Sequence, residues 1–127
     1  MSHERSDALV FFGATGDLAH KKIFPALQAL AGHGHLDIPV VGVAKAGWTL
    51  EQLNARARDS VERYGGLDRD AFARLERGLH YVDGDYGDPA TFKRLRQELG
   101  QAERPTHYLA IPPSLFEPVV RGLAQAG

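Results

Sequence analysis

The sequence predicts an α/β fold: a Rossmann-like, doubly wound parallel sheet that is incomplete, with about four strands in the order 3-2-1-4. Three observations lead to this prediction, namely unbroken apolar runs, a glycine corner after the first run, and helical patterns between the runs. A strand that is covered on both faces shows no polar alternation. Successive βα units with right-handed crossovers wind outward from the first strand in both directions.

The first strand is predicted over Ala8–Phe12, and Gly13, Gly16 and Ala19 follow it in the spacing Gly-x-x-Gly-x-x-Ala. Glycines let the backbone turn tightly and approach a phosphate with no Cβ in the way. The helix behind them offers free N–H groups and the positive end of its dipole. This corner predicts a dinucleotide site, although the spacing alone also fits an ordinary strand–helix turn. The predicted cofactor contacts here are Gly13, Ala14, Thr15, Gly16, Asp17 and Leu18.

Proline divides the segment after this corner. Pro25 lacks an N–H, so we expect a short helical turn from Asp17, a break near Lys21 and a helix that restarts around Phe24. This helix is expected to end near Ala31, where Gly32 and Gly34 provide left-handed stops.

The second strand, predicted over 38–45, indicates the type of cofactor. An acidic residue at its end would hold the ribose hydroxyls of NAD. This chain has Lys45 there, and the nearest acid, Asp37, stands at the wrong end. Because a cation suits the extra 2′-phosphate of NADP, we predict NADP, with NAD as the alternative. A solvated lysine at a strand end is the structural alternative.

The remaining patterns continue the alternation. They predict a helix over 50–64, a shorter helix to Arg77 capped by Asp68 or Asp70, a strand over 79–82, a helix over 89–99, a strand over 106–111 and a helix to Ala126. Two capping boxes are predicted, Thr49 with Gln52 and Ser114 with Glu117, and Leu50 opens the apolar face of the first of these helices.

Further cofactor contacts are predicted at two strand ends. After the third strand, Asp85 could accept a hydrogen bond from the adenine amine and Tyr86 could cover the ring. A turn followed by a helix cap explains this segment equally well. After the fourth strand, Ile111, Pro112 and Phe116 belong to a loop beside the glycine corner, where the pyrophosphate and nicotinamide ribose would pass.

Three strings resemble the amino-terminal signature of the glucose-6-phosphate 1-dehydrogenase family. They are Gly13-Ala-Thr-Gly-Asp-Leu-Ala19 with Lys22-Ile-Phe-Pro-Ala-Leu27, then Val41-Gly-Val-Ala-Lys45, then Tyr108-Leu-Ala-Ile-Pro-Pro-Ser-Leu-Phe116. The resemblance implies the NADP-binding portion of an oxidoreductase that passes a hydride from C1 of glucose 6-phosphate to NADP⁺, at the entry to the pentose phosphate pathway. It also implies that Lys22 reaches the substrate and cofactor side of the cleft.

The same resemblance implies a fragment. The family's catalytic His–Asp pair and its Glu-Lys-Pro motif lie beyond the matching region. Residues 1–127 are therefore expected to be one dinucleotide-binding domain with a flexible arm at 2–7, without the catalytic and substrate domain and inactive alone. The family usually carries lysine or arginine at the position of His20, and arginine at the position of Lys45.

Two other functions share features with this sequence. A short-chain reductase needs Tyr-x-x-x-Lys, and the fourth residue after each tyrosine is Asp68, Asp85, Ala90 or Pro112. A non-catalytic NADP-sensing module fits the sequence as well as an enzyme fragment does.

Composition limits the partners. The net charge of −1 gives no electrostatic case for nucleic acid or an anionic membrane, and the chain has no cysteine. His33 and His35 are more simply surface histidines than metal ligands, so no metal is predicted. A charged amino terminus without a long apolar run predicts a cytoplasmic protein. The fourth strand would be a hydrophobic edge, which predicts self-association.

Overall fold

The computed structural model describes residues 7–34 and 38–126, the side chain of residue 126 excepted. In chain order, its elements are β1 (Ala8–Phe12), a π-helical turn (Ala19–Ile23), α1 (Phe24–Gly32), β2 (Val40–Ala44), α2 (Leu50–Tyr64), α3 (Arg69–Gly78), β3 (Leu79–Asp83), α4 (Pro89–Leu99), β4 (Pro105–Leu109), a 3₁₀ turn (Pro113–Leu115) and α5 (Phe116–Ala126).

The four strands form one parallel sheet in the order β3-β2-β1-β4, which confirms the predicted topology. At the centre, Val10 of β1 stands opposite Val41 of β2 and His107 of β4. β1 is buried almost throughout, as its unbroken apolar run predicted.

Helices cover both faces of the sheet, so the fold is doubly wound. One core lies under α1, α2 and α3, where Phe11 meets Phe24 edge to face with ring centroids 5.5 Å apart. The other lies under α4 and α5, where Phe12 packs near Phe92 and Val119. Successive residues of β1 thus point to opposite cores, as the period of a strand requires.

The predicted break near Lys21 is wrong. The helix passes through this point without a break, as a wide π turn in which the N–H of Phe24 donates to the carbonyl of Ala19. Pro25 then sits in the first turn of α1, as predicted. In this wider turn the carbonyl that lacks a bond because of Pro25 is that of His20, and it accepts a hydrogen bond from the Ser60 hydroxyl instead.

Smaller differences have local causes. Gly34 has a φ of +73°, as a left-handed stop requires, but Gly32 is the last residue of α1 and has no positive φ, so the stop predicted there is wrong. The Ser114–Glu117 capping box is wrong, because a 3₁₀ turn starts directly after Pro112 with no side-chain cap. The box of Thr49 with Gln52 is present. Leu50 is 39% exposed, since it lies in the first turn, ahead of the buried stripe of α2.

Some predictions fall outside the described residues, namely those on His35, Asp37 and positions 2–6 of the expected arm. Asp7, the last position of that arm, is held to the start of β4. Its carboxylate accepts hydrogen bonds from the N–H groups of Glu103 and Arg104 at 2.6 and 2.8 Å.

Candidate functional site

A cleft of about 530 Å³ opens where the strands end at the carboxyl edge of the sheet. This edge is the usual ligand site of an open α/β sheet. The cleft is lined by eight of the residues predicted to contact a cofactor, which come from four separate segments of the chain: Gly13, Thr15, Gly16, Lys45, Asp85, Tyr86, Ile111 and Pro112.

Gly13 forms the tight corner between β1 and the cleft. Its φ is +86°, and a Cβ there would lie 2.2 Å from the carbonyl oxygen of Ala110. Its N–H donates to the carbonyl of Val43 at 2.8 Å and to the hydroxyl of Tyr86 at 2.9 Å. The chain itself therefore requires glycine here, and three neighbouring segments hold the corner in place.

Gly16 differs from Gly13 in this respect. A Cβ on Gly16 would meet only the carbonyl of Gly13, at an ordinary 3.4 Å. The N–H of His20 donates to the carbonyl of Gly16, so the helix begins at this residue. The N–H groups of Asp17 and Leu18 fall in the first helical turn, which has no earlier turn to accept them. Such an N-terminus is suited to hold an anion.

Tyr86 reaches under the glycine corner. Its hydroxyl accepts from Gly13 and donates to the carbonyl of Val43 at 3.2 Å, and its ring meets Phe12 edge to face. Burial raises the pKa of this phenol, against a smaller opposing effect of the Gly13 bond. Tyr86 thus supports the corner from below, and its predicted contact with adenine stays a prediction.

Lys45 and Asp85 form an ion pair across the mouth of the cleft. Lys45 Nζ lies 3.0 Å from Asp85 Oδ2, and both side chains are largely exposed. The other oxygen of Asp85 accepts from the N–H of Gly87 at 2.8 Å. The pKa of Asp85 is lowered first by that N–H and then by Lys45, so this carboxylate is ionised at neutral pH.

Asp83 is a residue that the sequence argument missed. Its Oδ1 accepts from the N–H groups of Ala46 and Gly47 at 3.0 and 2.9 Å and from the hydroxyl of Tyr81. Burial raises the pKa of Asp83, but these hydrogen bonds outweigh burial and lower it. The cluster Asp83-Gly-Asp85 at a strand end was the available signal, because strand ends of a parallel sheet meet at one edge.

The other predicted contacts do not line this cleft. Ala14 is fully buried, against the place where a Cβ of Gly42 would be. Leu18 and Phe116 are 43% and 39% exposed, and Asp17 lies 3.9 Å from Arg56. Lys22 lines a separate apolar cavity of about 230 Å³, beside Tyr108 and on the α1 side of β1.

The described part of the chain holds neither a cluster of metal ligands nor a membrane-spanning helix. Within residues 7–34 and 38–126, no three histidine, aspartate or glutamate side chains cluster as metal ligands would. Over the same residues, no helix is long and apolar enough to cross a bilayer.

A doubly wound sheet with a glycine corner that opens into a cleft at the strand ends defines a dinucleotide-binding domain. The particular family is given by a sequence model described as "Glucose-6-phosphate dehydrogenase, NAD binding domain", which matches residues 10–127. The chain belongs to the glucose-6-phosphate dehydrogenase family, a family of oxidoreductases, and corresponds to the domain that takes a nicotinamide dinucleotide.

Individual relatives agree. Glucose-6-phosphate 1-dehydrogenase 1 of Mycobacterium bovis is 44% identical over 94% of this chain, and the enzyme of Dickeya dadantii is 40% identical over 94%. The crystal structure of glucose-6-phosphate 1-dehydrogenase from Mycobacterium avium superposes on 96% of the chain with a TM-score of 0.90 and 43% identity. The chain spans about a quarter of these relatives, 26%, 25% and 27% of their lengths.

Proposed function

We propose that this chain binds NADP⁺ as the coenzyme domain of an enzyme that oxidises glucose 6-phosphate at C1. The observation that carries the proposal is the cleft itself, in which a helix N-terminus beside Gly16 and a cation, Lys45, line the same space of about 530 Å³. NADP carries a pyrophosphate and a separate 2′-phosphate, so its site needs a helix N-terminus for the first and a cation for the second.

The pyrophosphate belongs at Gly16. A methyl group at this residue would fit the protein, so packing within the chain gives no reason for glycine there. A phosphate against the backbone does give one, because a Cβ would stand between its oxygens and the first-turn N–H groups. Asp17 and Leu18 would then contact the cofactor through their main chain, although their side chains lie outside the cleft.

The 2′-phosphate belongs at Lys45. This lysine follows β2, and its counterpart at the end of β3, Asp85, keeps the ammonium group over the cleft mouth. Ile111 and Pro112 line the opposite wall, where the nicotinamide half would lie, and Phe116 begins the next helix. NAD remains the alternative cofactor because Lys45 binds through charge alone, without the two-pronged geometry of an arginine.

The hydride acceptor is the nicotinamide ring when bound, and the residues of this chain bind and orient it. None of the described histidines lines the cleft, so we propose that the proton acceptor comes from another part of the enzyme and that this chain alone does not turn over. A structural relative with 27% identity is described as glucose-6-phosphate dehydrogenase in complex with its substrate glucose-6-phosphate. On that basis we assign the same sugar phosphate as substrate, with Lys22 as a contact; a cytoplasmic location stays an expectation from composition.

Calorimetric titration of the chain with NADP⁺ and NAD⁺ tests the proposal. Wild type should bind NADP⁺, and Lys45→Glu should weaken NADP⁺ by roughly tenfold while NAD⁺ changes less than about twofold. Lys93→Glu is the matched control, a charge reversal on α4 that should leave both affinities unchanged. A folded wild type that binds neither dinucleotide would refute the function. Reduction of NADP⁺ with glucose 6-phosphate by the chain alone would refute the claim of inactivity.

A further inference from the structure

One carboxylate pairs with the cation that would recognise the 2′-phosphate, and a second carboxylate binds the loop that follows this cation. Asp85 is paired with the ammonium group of Lys45 at 3.0 Å. Asp83 binds the N–H groups of Ala46 and Gly47, in the loop directly after Lys45. The guanidinium group of Arg94 also lies here and donates to the main-chain carbonyl of Asp83 at 2.6 Å, so the carboxylate that pairs with Lys45 itself is Asp85.

The carboxylate of Asp83 fills a main-chain recess of the kind that binds anions. Successive N–H groups that converge on one point form such a recess, and here that point is Asp83 Oδ1. Gly47, with φ of +71°, provides the left-handed bend in this loop. The loop after β2 thus already holds an anion of its own, and its N–H groups are not available to a phosphate.

Asp85 acts on the cation directly. With Gly87 on one oxygen and Lys45 on the other, the carboxylate is held in place at the cleft mouth. A phosphate that approaches Lys45 must displace Asp85 or share the ammonium group with it, at a cost in Coulomb repulsion. NAD has no phosphate at this position and does not meet that cost.

We propose that Asp85, supported by Asp83, determines cofactor specificity by weakening NADP at Lys45, so that this site accepts both dinucleotides. The inference rests on the proposed dinucleotide site and adds to it the residues that set the balance. Lys45 supplies the attraction for the extra phosphate, and the two carboxylates limit it.

Asparagine substitutions test the inference because they remove the charge and keep an oxygen in the same place. Asp85→Asn should raise the ratio of the Kd for NAD⁺ to the Kd for NADP⁺ about two- to fivefold, as measured by calorimetry at low salt. Asp83→Asn should shift the ratio in the same direction. The shift in Asp85→Asn should shrink at high salt, since the carboxylate of Asp85 is exposed to solvent and its charge is screened.

Glu98→Gln is the matched control, because Glu98 pairs with His80 away from the cleft. The ratio of the two Kd values in this variant should equal the wild-type ratio. An unchanged ratio in Asp85→Asn, or an equal shift in Glu98→Gln, would overturn the inference. Those outcomes leave dinucleotide binding intact, whereas failure of the folded wild type to bind either dinucleotide would overturn the proposed function as well. Far-UV circular dichroism confirms that each variant is folded.

Discussion

The hydroxyl of Ser60 donates a hydrogen bond to the main-chain carbonyl of His20, inside the π-helical turn. In such a turn each carbonyl accepts from the N–H five residues later, as Ala19 does from Phe24. The corresponding donor for His20 would be Pro25, which has no N–H. The bond that the proline cannot make is therefore supplied from α2 by a buried serine.

Ser60→Ala should leave that buried carbonyl without a partner. We expect the free energy of unfolding to fall by about 1–3 kcal/mol, which is the usual cost of an unsatisfied buried polar group. Urea denaturation followed by circular dichroism measures it. Glu62→Ala, an exposed change in the same helix, should cost less than about 0.5 kcal/mol. An equal fall in the free energy of unfolding in both variants would show that the hydrogen bond of Ser60 does not stabilise the fold.

Gly13→Ala and Gly16→Ala should separate folding from binding. The Gly13 variant places a methyl group against the carbonyl of Ala110 at positive φ, and should lose about 3 kcal/mol or more of stability. The free energy of unfolding of the Gly16 variant should stay within about 1 kcal/mol of the wild-type value, because the one loss is that alanine caps a helix less well than glycine. Its affinity for NADP⁺ should nevertheless fall roughly tenfold, since the new Cβ lies where the phosphate would. Wild-type affinity in Gly16→Ala would place the pyrophosphate elsewhere.

Asp83 should make folding sensitive to acid. Its pKa is lower in the folded chain than its ordinary value of 3.8, so the stability it contributes is fully present well above that value. This contribution is lost as the pH falls from about 5 through the folded pKa. Urea unfolding at a series of pH values should therefore show a shallower acid decline for Asp83→Asn than for wild type. Parallel declines would mean that Asp83 has the same pKa in both states.

The β4 edge should promote self-association of this chain. In the described structure β4 pairs only with β1, and Tyr108 on it is 50% exposed. Sedimentation should show a mass that rises with concentration, because an open strand edge can pair with another. Tyr108→Lys should reduce this rise, as charges on edge strands do. Val120→Lys, which adds the same charge on α5, should not; an equal effect of both would point to general hydrophobicity.

The backbone plan of the domain could be predicted because it depends on local patterns. Apolar runs located β1 and β2, the Thr49 box located the start of α2, and the glycine corner located the cleft. Each of these signals lies within a few neighbouring residues. Strand ends of a parallel sheet meet at one edge, which is why Lys45 and Asp85, each predicted separately to contact a cofactor, line the same cleft.

What could not be predicted depends on partners far apart in the chain. The break expected at Lys21 was inferred from Pro25 alone, whereas in the structure Ser60, on another helix, bonds the carbonyl of His20 within a continuous turn. The bond from Asp83 to the Ala46 loop likewise joins two strands. Side-chain roles at the cleft were harder to predict than backbone roles, because Tyr86 turned out to bond the main chain under the corner.

The wide turn also sets the orientation of the whole first helix. One additional residue fits into a single turn, and each residue of an α-helix accounts for about 100° of rotation around its axis. Deleting any one position within Ala19–Ile23 would remove the additional residue and would swing Gly16 around the axis relative to Phe24 by about that angle. A shorter loop could not compensate, because Gly13 is clamped on three sides. One additional residue in the turn thus lets a single helix face a buried core at one end and the cleft at the other.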